Sequence, residues 1–200
     1  MAREGFFYVL IPAIAALLFA AFEYWIIAAI LALISAFMAF FFRDPLRIPP
    51  EGENLVLAAA DGKVTRIERS DDEIIISVFM SPLDVHINRA PVSGDVLNVQ
   101  YTPGQRRPAT NDKASLLNER NTSTISTGFC EVKCTQIAGI LARRIVCYLK
   151  PGDAVTRGEK IGMIKFSSRT DVVVPENSEI LVSVGEHVRA GETTLAKLKI

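Results

Sequence analysis

Two runs of this chain carry no charge, Phe6 to Phe22 and Tyr24 to Phe42, and Glu23 stands alone between them. As helices rising about 1.5 Å per residue, they would span roughly 25 and 28 Å, close to the hydrocarbon thickness of a bilayer. Together they are far too long for a signal-peptide core. The pattern predicts a membrane-anchoring helical hairpin over residues 1–42, turning at Glu23. Arg3 precedes the pair, and Arg43 and Arg47 follow it. By the positive-inside tendency both ends face the cytoplasm, which puts the rest of the chain on the cytoplasmic side of a cell membrane. Pro12 is tolerable inside a membrane helix. A re-entrant hairpin that does not cross fits the same pattern.

After Arg43-Asp44-Pro45 and the Pro49-Pro50 break, the texture becomes that of short strands. Val64–Ile67 and Ile74–Phe79 read as strands, with a charged turn at Ser70 to Glu73 between them. Val92–Tyr101, Thr122–Thr127, Arg144–Leu149 and Val172–Val174 continue the pattern. The best helix candidate is short, Asp112 to Asn118 with Asp112 as cap. Residues 43–200 therefore read as one mainly-β domain, a sandwich or barrel. An internal echo narrows this: Gly152-Asp153-Ala154-Val155-Thr156-Arg157-Gly158-Glu159 returns as Gly185-Glu186-His187-Val188-Arg189-Ala190-Gly191-Glu192. Turn, buried Val and second turn in that order resemble the flattened β-sandwich of lipoyl- and biotinyl-carrier modules. Two copies suggest two related hairpins in one sandwich.

Lys+Arg and Asp+Glu each number 22, so the formal net charge is zero, and only Arg3, Glu4 and Glu23 fall in the first 42 residues. A balanced β domain argues against a nucleic-acid partner, which would select excess Lys and Arg. Cys130, Cys134 and Cys147 are too few for a disulfide framework and lack CxxC spacing, so they read as reduced cysteines in a cytosol-facing domain with no metal.

Candidate chemistry is sparse. Asp61-Gly62 has the bland reading of a turn. Ser167-Ser168-Arg169-Thr170-Asp171 reads as a polar bend after the apolar strand Ile161 to Phe166. Asp84, His86 and Asn88 alternate, so they share one strand face, catalytic or merely solvated. His187, inside the second echo, reads as a surface turn residue. No phosphate-cradling loop, zinc spacing or nucleophile elbow is present.

Taken in order, the segments become specific. They are Phe41-Phe42-Arg43-Asp44-Pro45, Ala60-Asp61-Gly62-Lys63-Val64, Phe79-Met80-Ser81-Pro82-Leu83-Asp84-Val85-His86-Ile87-Asn88-Arg89, Asn118-Glu119-Arg120-Asn121, Ile137-Ala138-Gly139 with Ala142-Arg143-Arg144-Ile145, and Gly162-Met163-Ile164-Lys165-Phe166 leading to Ser168-Arg169. This series resembles the short bacterial and archaeal form of the phosphatidylserine decarboxylase family along essentially the whole chain.

The resemblance implies a membrane-bound enzyme that removes carbon dioxide from the serine head of a phospholipid, phosphatidylserine or archaetidylserine, to leave the ethanolamine lipid. It implies a pyruvoyl cofactor made from Ser168 when the chain cuts itself into 1–167 and 168–200, which stay together as partner fragments. Ser168 would be the nucleophile, His86 the base and Asp61 its orienter. In turnover the pyruvoyl carbonyl would hold the substrate amine as a Schiff base and serve as electron sink, with His86 returning a proton. Arg89, Lys165 and Arg169 are candidates for the head-group phosphate or carboxylate by charge and position. A homodimer is an ordinary expectation.

The chain departs from the family at one informative place. The family usually has Gly before the cleaved serine, where this chain has Ser167, and a Cβ there obstructs backbone conformations open to glycine. The substitution predicts slow or blocked cutting and an uncleaved precursor. Ser167 is also a second possible attacker, on the Phe166 carbonyl. The rival readings are a membrane-tethered lipoyl-like carrier, for which Lys165 would be the modified lysine, and a purely structural adaptor.

Overall fold

A computed structural model describes residues 1–105, 117–139, 144–165 and 168–199. The expected helix at Asp112 to Asn118 falls mostly outside these residues, as does Ser167. The chain divides into two compact units, Met1–Leu46 and Arg47–Ile200.

The first unit is a helical hairpin. Helix α1 (Phe6–Ala21) and helix α2 (Trp25–Phe41) are separated by a turn in which Glu23 takes a left-handed φ of 61°. The single charge thus sits where the helical hydrogen bonding stops. Ser35 Oγ donates to the Val9 carbonyl across the pair at 2.8 Å, and the Tyr8 and Phe42 rings stack at 5.3 Å. The helix spanning Arg3–Ala21 is long and apolar enough to cross a membrane, whereas Trp25–Phe41 is shorter.

The second unit is mainly β. Its strands are β1 (Leu55–Leu57), β2 (Gly62–Arg69), β3 (Glu73–Met80), β4 (Ile87–Arg89), β5 (Gly94–Thr102), β6 (Arg120–Ser126) and β7 (Glu131–Ala138). They continue as β8 (Arg144–Cys147), β9 (Ala154–Val155), β10 (Lys160–Lys165), β11 (Ser168–Pro175), β12 (Glu179–Ile180), β13 (His187–Val188) and β14 (Thr194–Lys197). Eight of them form one curled sheet in the order β13-β2-β3-β11-β7-β6-β5-β9, and the rest make two three-stranded sheets, β1-β14-β12 and β4-β10-β8. Ile74, Ile76, Val78, Ile125, Cys134, Val172, Val188 and Leu195, each at most 1% exposed, lie in its apolar core. Alternation on β3 and β6 follows from burying one face of each strand.

The sheet orders read alike from both ends, and the register shows why. The β2–β3 ladder slips between Val64 and Arg66, and the β5–β6 ladder slips at the matching place between Val96 and Asn98. Gly185 N–H bonds the Val64 carbonyl as Gly152 N–H bonds Val96, and Gly191 N–H bonds Ala58 as Gly158 N–H bonds Ala90. Leu57 N–H bonds Pro91, while Arg89 N–H bonds Ala59. The domain is thus two interleaved halves related by a pseudo-two-fold between β7 and β11. One half holds β1–β3 with β11–β14, and the other holds β4–β6 with β7–β10. Both copies of the sequence echo lie at matching sheet edges, with Val155 and Val188 buried as expected.

Two local expectations need correction. Ser168 to Asp171 is not a bend: it opens β11, the strand paired with both β3 and β7. The stretch from Asp84 to Asn88 is not a solvated strand face: strand pairing begins only at Ile87, and His86 and Asn88 are 0% exposed. In both cases polar side chains are buried, Arg169 with Asp171 and Asn88 with Gln136 among them, a pattern that composition alone reads as surface.

Candidate functional site

The Met80 end of β3 gathers the candidate residues. Ser168 begins β11 directly opposite Met80, is fully buried, and its hydroxyl reaches the Met80 sulfur at 3.7 Å. The same sulfur receives the Asn88 amide at 3.8 Å, and Asn88 is held in turn by Gln136 Nε2 at 2.8 Å. A thioether is a weak acceptor, so it leaves the serine oxygen chemically unspent.

From Met80 the chain turns through Ser81-Pro82-Leu83-Asp84 to His86. Asp84 closes this turn, its carboxylate accepting from the Ser81 amide at 2.8 Å and hydroxyl at 2.7 Å. Pro82 supplies a fixed φ at the second position. The Asp84 carbonyl lies 2.9 Å from His86 Nδ1. A carbonyl can only accept, so Nδ1 carries the proton and the basic lone pair is on Nε2, the form that takes a proton. The His86 carbonyl accepts from Ile164 N–H at 3.3 Å, which ties the histidine's backbone to β10, the strand that precedes the expected cut. Ser167, expected at the cut, lies outside the described residues.

Asp61 stands just before Gly62, where a Cβ would run into the Phe79 carbonyl oxygen. Only glycine lets this segment lie so close against β3. The Asp61 carboxylate accepts from Ala190 N–H at 2.8 Å and from Arg47 Nη2 at 2.6 Å. Arg47 also reaches Glu192 at 2.8 Å, its side chain only 8% exposed. Burial raises the Asp61 pKa from its ordinary value, opposed by the Ala190 hydrogen bond and by Arg47, and reinforced by the nearby Asp84. The resemblance gave Asp61 the part of orienter to His86. Here its bonds go to Arg47 and Ala190, and the group on His86 Nδ1 is the Asp84 carbonyl.

The three expected substrate cations are placed differently from one another. Arg169 follows Ser168 and so points to the opposite face of β11, where it is 2% exposed and pairs with Asp171 at 2.9 Å. Arg89 is buried and donates to the Gly158 carbonyl at 2.8 Å. Lys165 is half-buried at the end of β10, opposite Arg144 in the ladder. That is a strand position, unlike the exposed hairpin tip expected of a carrier's modified lysine. His187 is exposed in β13. Arg47, the Asp84 carbonyl, Met80 and the Asn88–Gln136 pair were not legible as partners, because each contact joins segments distant in sequence or runs through the main chain.

The pseudo-two-fold supplies an internal comparison. Asp61 corresponds to Ser93, whose hydroxyl accepts from Arg157 N–H at 2.8 Å as Asp61 accepts from Ala190 N–H. His86 corresponds to Asn54, whose carbonyl likewise accepts from the partner strand, at Leu198 N–H. Ser168 opposite Met80 corresponds to Cys130 opposite Thr127, where Thr127 Oγ1 and Cys130 Sγ lie 3.4 Å apart. The twin place is a cavity of about 340 Å³ lined by Asn54, Ser93, Thr127, Phe129 and Arg157 among others. Histidine, carboxylate and serine therefore stand together in one of two equivalent frames and not in the other.

Comparison with known sequences gives a consistent result. The profile described as phosphatidylserine decarboxylase matches residues 34–196. A protein of Methanothermobacter thermautotrophicus, named provisionally an archaetidylserine decarboxylase proenzyme, is 45% identical over 195 residues, 88% of this chain and 87% of its own. The phosphatidylserine decarboxylase proenzyme of Syntrophus aciditrophicus is 44% identical over 206 residues, 98% of this chain and 96% of its own. That of Pelodictyon phaeoclathratiforme is 42% identical over 167 residues, 80% and 79% of the two chains.

Proposed function

Because this chain belongs to the phosphatidylserine decarboxylase family, we propose that it cuts itself before Ser168 and then decarboxylates the serine head group of a phospholipid. The observation that carries the reading is the convergence of Ser168, His86 and Asp61 on the Met80 end of β3, at the one of the two symmetry-related places that has all three, with His86 contributed from the start of β4.

Self-cutting needs only this chain's atoms and water. His86 Nε2 takes the Ser168 hydroxyl proton, and Ser168 Oγ attacks the carbonyl carbon of residue 167. The C–N bond breaks, the amine of residue 168 receives the proton, and an ester joins the two segments. Loss of the Ser168 α-proton expels the upstream segment as a carboxylate and leaves dehydroalanine. Water then releases ammonia and leaves a pyruvoyl group at the head of β11. The surroundings suit such a group: Ser168 is buried beside a thioether, and the Asn88 amide, a donor for a carbonyl oxygen, touches the same sulfur. Met80 and Asn88 would flank it. The pyruvoyl carbonyl supplies the electron sink for carbon dioxide loss. His86 would return a proton to the former α-carbon, and Arg89 and Lys165 remain cationic candidates for the lipid head, whereas Arg169 is paired with Asp171 on the opposite face of β11.

The hairpin would insert in the cell membrane with the β domain on the cytoplasmic face, and the repeated turns at both sheet edges support a carrier-type flattened sandwich. We read the lipid as phosphatidylserine or archaetidylserine, since relatives of similar identity are named for each.

Intact mass tests the reading. Ser168→Ala and His86→Ala should each leave one uncut chain, while Ser167→Gly should hasten the appearance of 1–167 and a pyruvoyl-blocked 168–200. A His86→Ala chain cut at the usual rate removes His86 from the base role. Retention of a single chain after Ser167→Gly would sink the self-cutting proposal.

A further inference from the structure

We infer that Arg47 is a positioning residue for self-cutting, holding Asp61 ionised and in place; this rests on the reading of Asp61 as part of the cutting machinery. The pseudo-two-fold isolates what the charge is for. At both equivalent positions a side-chain oxygen accepts one main-chain N–H, from Ala190 at Asp61 and from Arg157 at Ser93. A neutral serine meets that structural need, so the fold does not require a carboxylate. What Asp61 adds is a second oxygen and a charge, and both are taken up by Arg47 at 2.6 Å.

Burial disfavours that charge, and a guanidinium beside it is the natural counterweight. Arg47 suits the task because its planar fork engages two carboxylates at once, Asp61 through Nη2 and Glu192 through Nη1. The fork fixes where the Asp61 oxygens point, and Glu192 keeps the fork from rotating away. Among the described residues, the other charged groups near Asp61 include Asp84 in the turn before β4, which opposes its ionisation, and Arg89 in β4, whose side chain passes Gly191 beside Ala190. His86 follows Asp84 by two residues.

Arg47→Met, Arg47→Lys and Asp61→Ser test this, in the full chain with Ser167 and again with Ser167→Gly. The rate at which 168–200 appears is followed by mass against pH. Arg47→Met should displace the acid limb of the profile upward by about one to three pH units, with cutting recovering on the alkaline side. Arg47→Lys keeps the charge without the fork and should shift the limb less in the same direction, so it serves alone if Arg47→Met does not fold. An unmoved limb, with the rate lowered equally at every pH or not at all, overturns the role assigned to Arg47. Asp61→Ser reproduces the Ser93 arrangement and should fold but not cut. If it cuts at the usual rate, the reading of Asp61 itself fails, whatever the Arg47 variants do. If it fails to cut while the Arg47 limb stays put, only the Arg47 inference falls.

Discussion

Burial acts on Cys134 as it does on Asp61, toward the uncharged form. The Cys134 thiol is pushed up to about 12, chiefly by desolvation and then by neighbouring Cys147 and Asp171. Cys130 and Cys147 are partly exposed. Iodoacetamide at mildly alkaline pH should therefore label Cys130 and Cys147 in the folded protein and reach Cys134 only after denaturation, read as added mass. Early labelling of Cys134 would mean that the sheet opens locally there. The same contrast explains what single residues disclosed in the sequence. Ser168, His86 and Asp61 each had an ordinary local reading, and only an ordered series of matches singled them out. Arg47 read locally only as a positive charge following the hairpin, because its pairing with Asp61 and Glu192 is made by chain folding.

At the level of elements, strands with one apolar face were readable. Val64–Ile67, Ile74–Phe79 and Thr122–Thr127 lie in β2, β3 and at β6 because alternation matches burial on one side. The start of β11 was misread because its polar residues are buried among partners, Arg169 with Asp171 above all. Strands as short as β9, β12 and β13 carry too few residues for any period to show. The readable strands should also carry the stability. Ile76 is fully buried in β3, opposite Ile67 and Val172. Its truncation in Ile76→Ala should cost about 2–5 kcal/mol in denaturant unfolding. A loss well below that range would mean the core closes around the gap.

Across the whole molecule, the proposed membrane anchor and the candidate site fall in different units. The hairpin presents large apolar side chains such as Phe7, Ile11, Leu17, Trp25 and Ile26 to its surroundings, whereas the β domain carries the candidate site. Deleting residues 1–46 should release the protein from the membrane fraction and leave self-cutting near its original rate, while turnover of lipid in vesicles falls sharply. Continued sedimentation of the truncated chain with vesicles would show that the β domain binds lipid by itself. The change from two uncharged runs to short punctuated strands was open to the sequence, since the two differ in charge density and period. The pseudo-two-fold was visible only as one echo, because strands of the same half are drawn from distant parts of the chain.

The position of β11 between β3 and β7 bears on how long a matured molecule would last. After cutting, residues 168–200 would be a separate polypeptide whose first strand is zipped on both sides, while β13 and β14 pair with β2 and β1. Such a fragment cannot leave by peeling from an edge; both ladders must open, which amounts to unfolding the domain. Its escape rate is then the global unfolding rate, and recombination of the lost pieces would have to rebuild the middle of a sheet. The working lifetime of the catalyst would thus be governed by a kinetic barrier rather than by the affinity of two fragments at equilibrium.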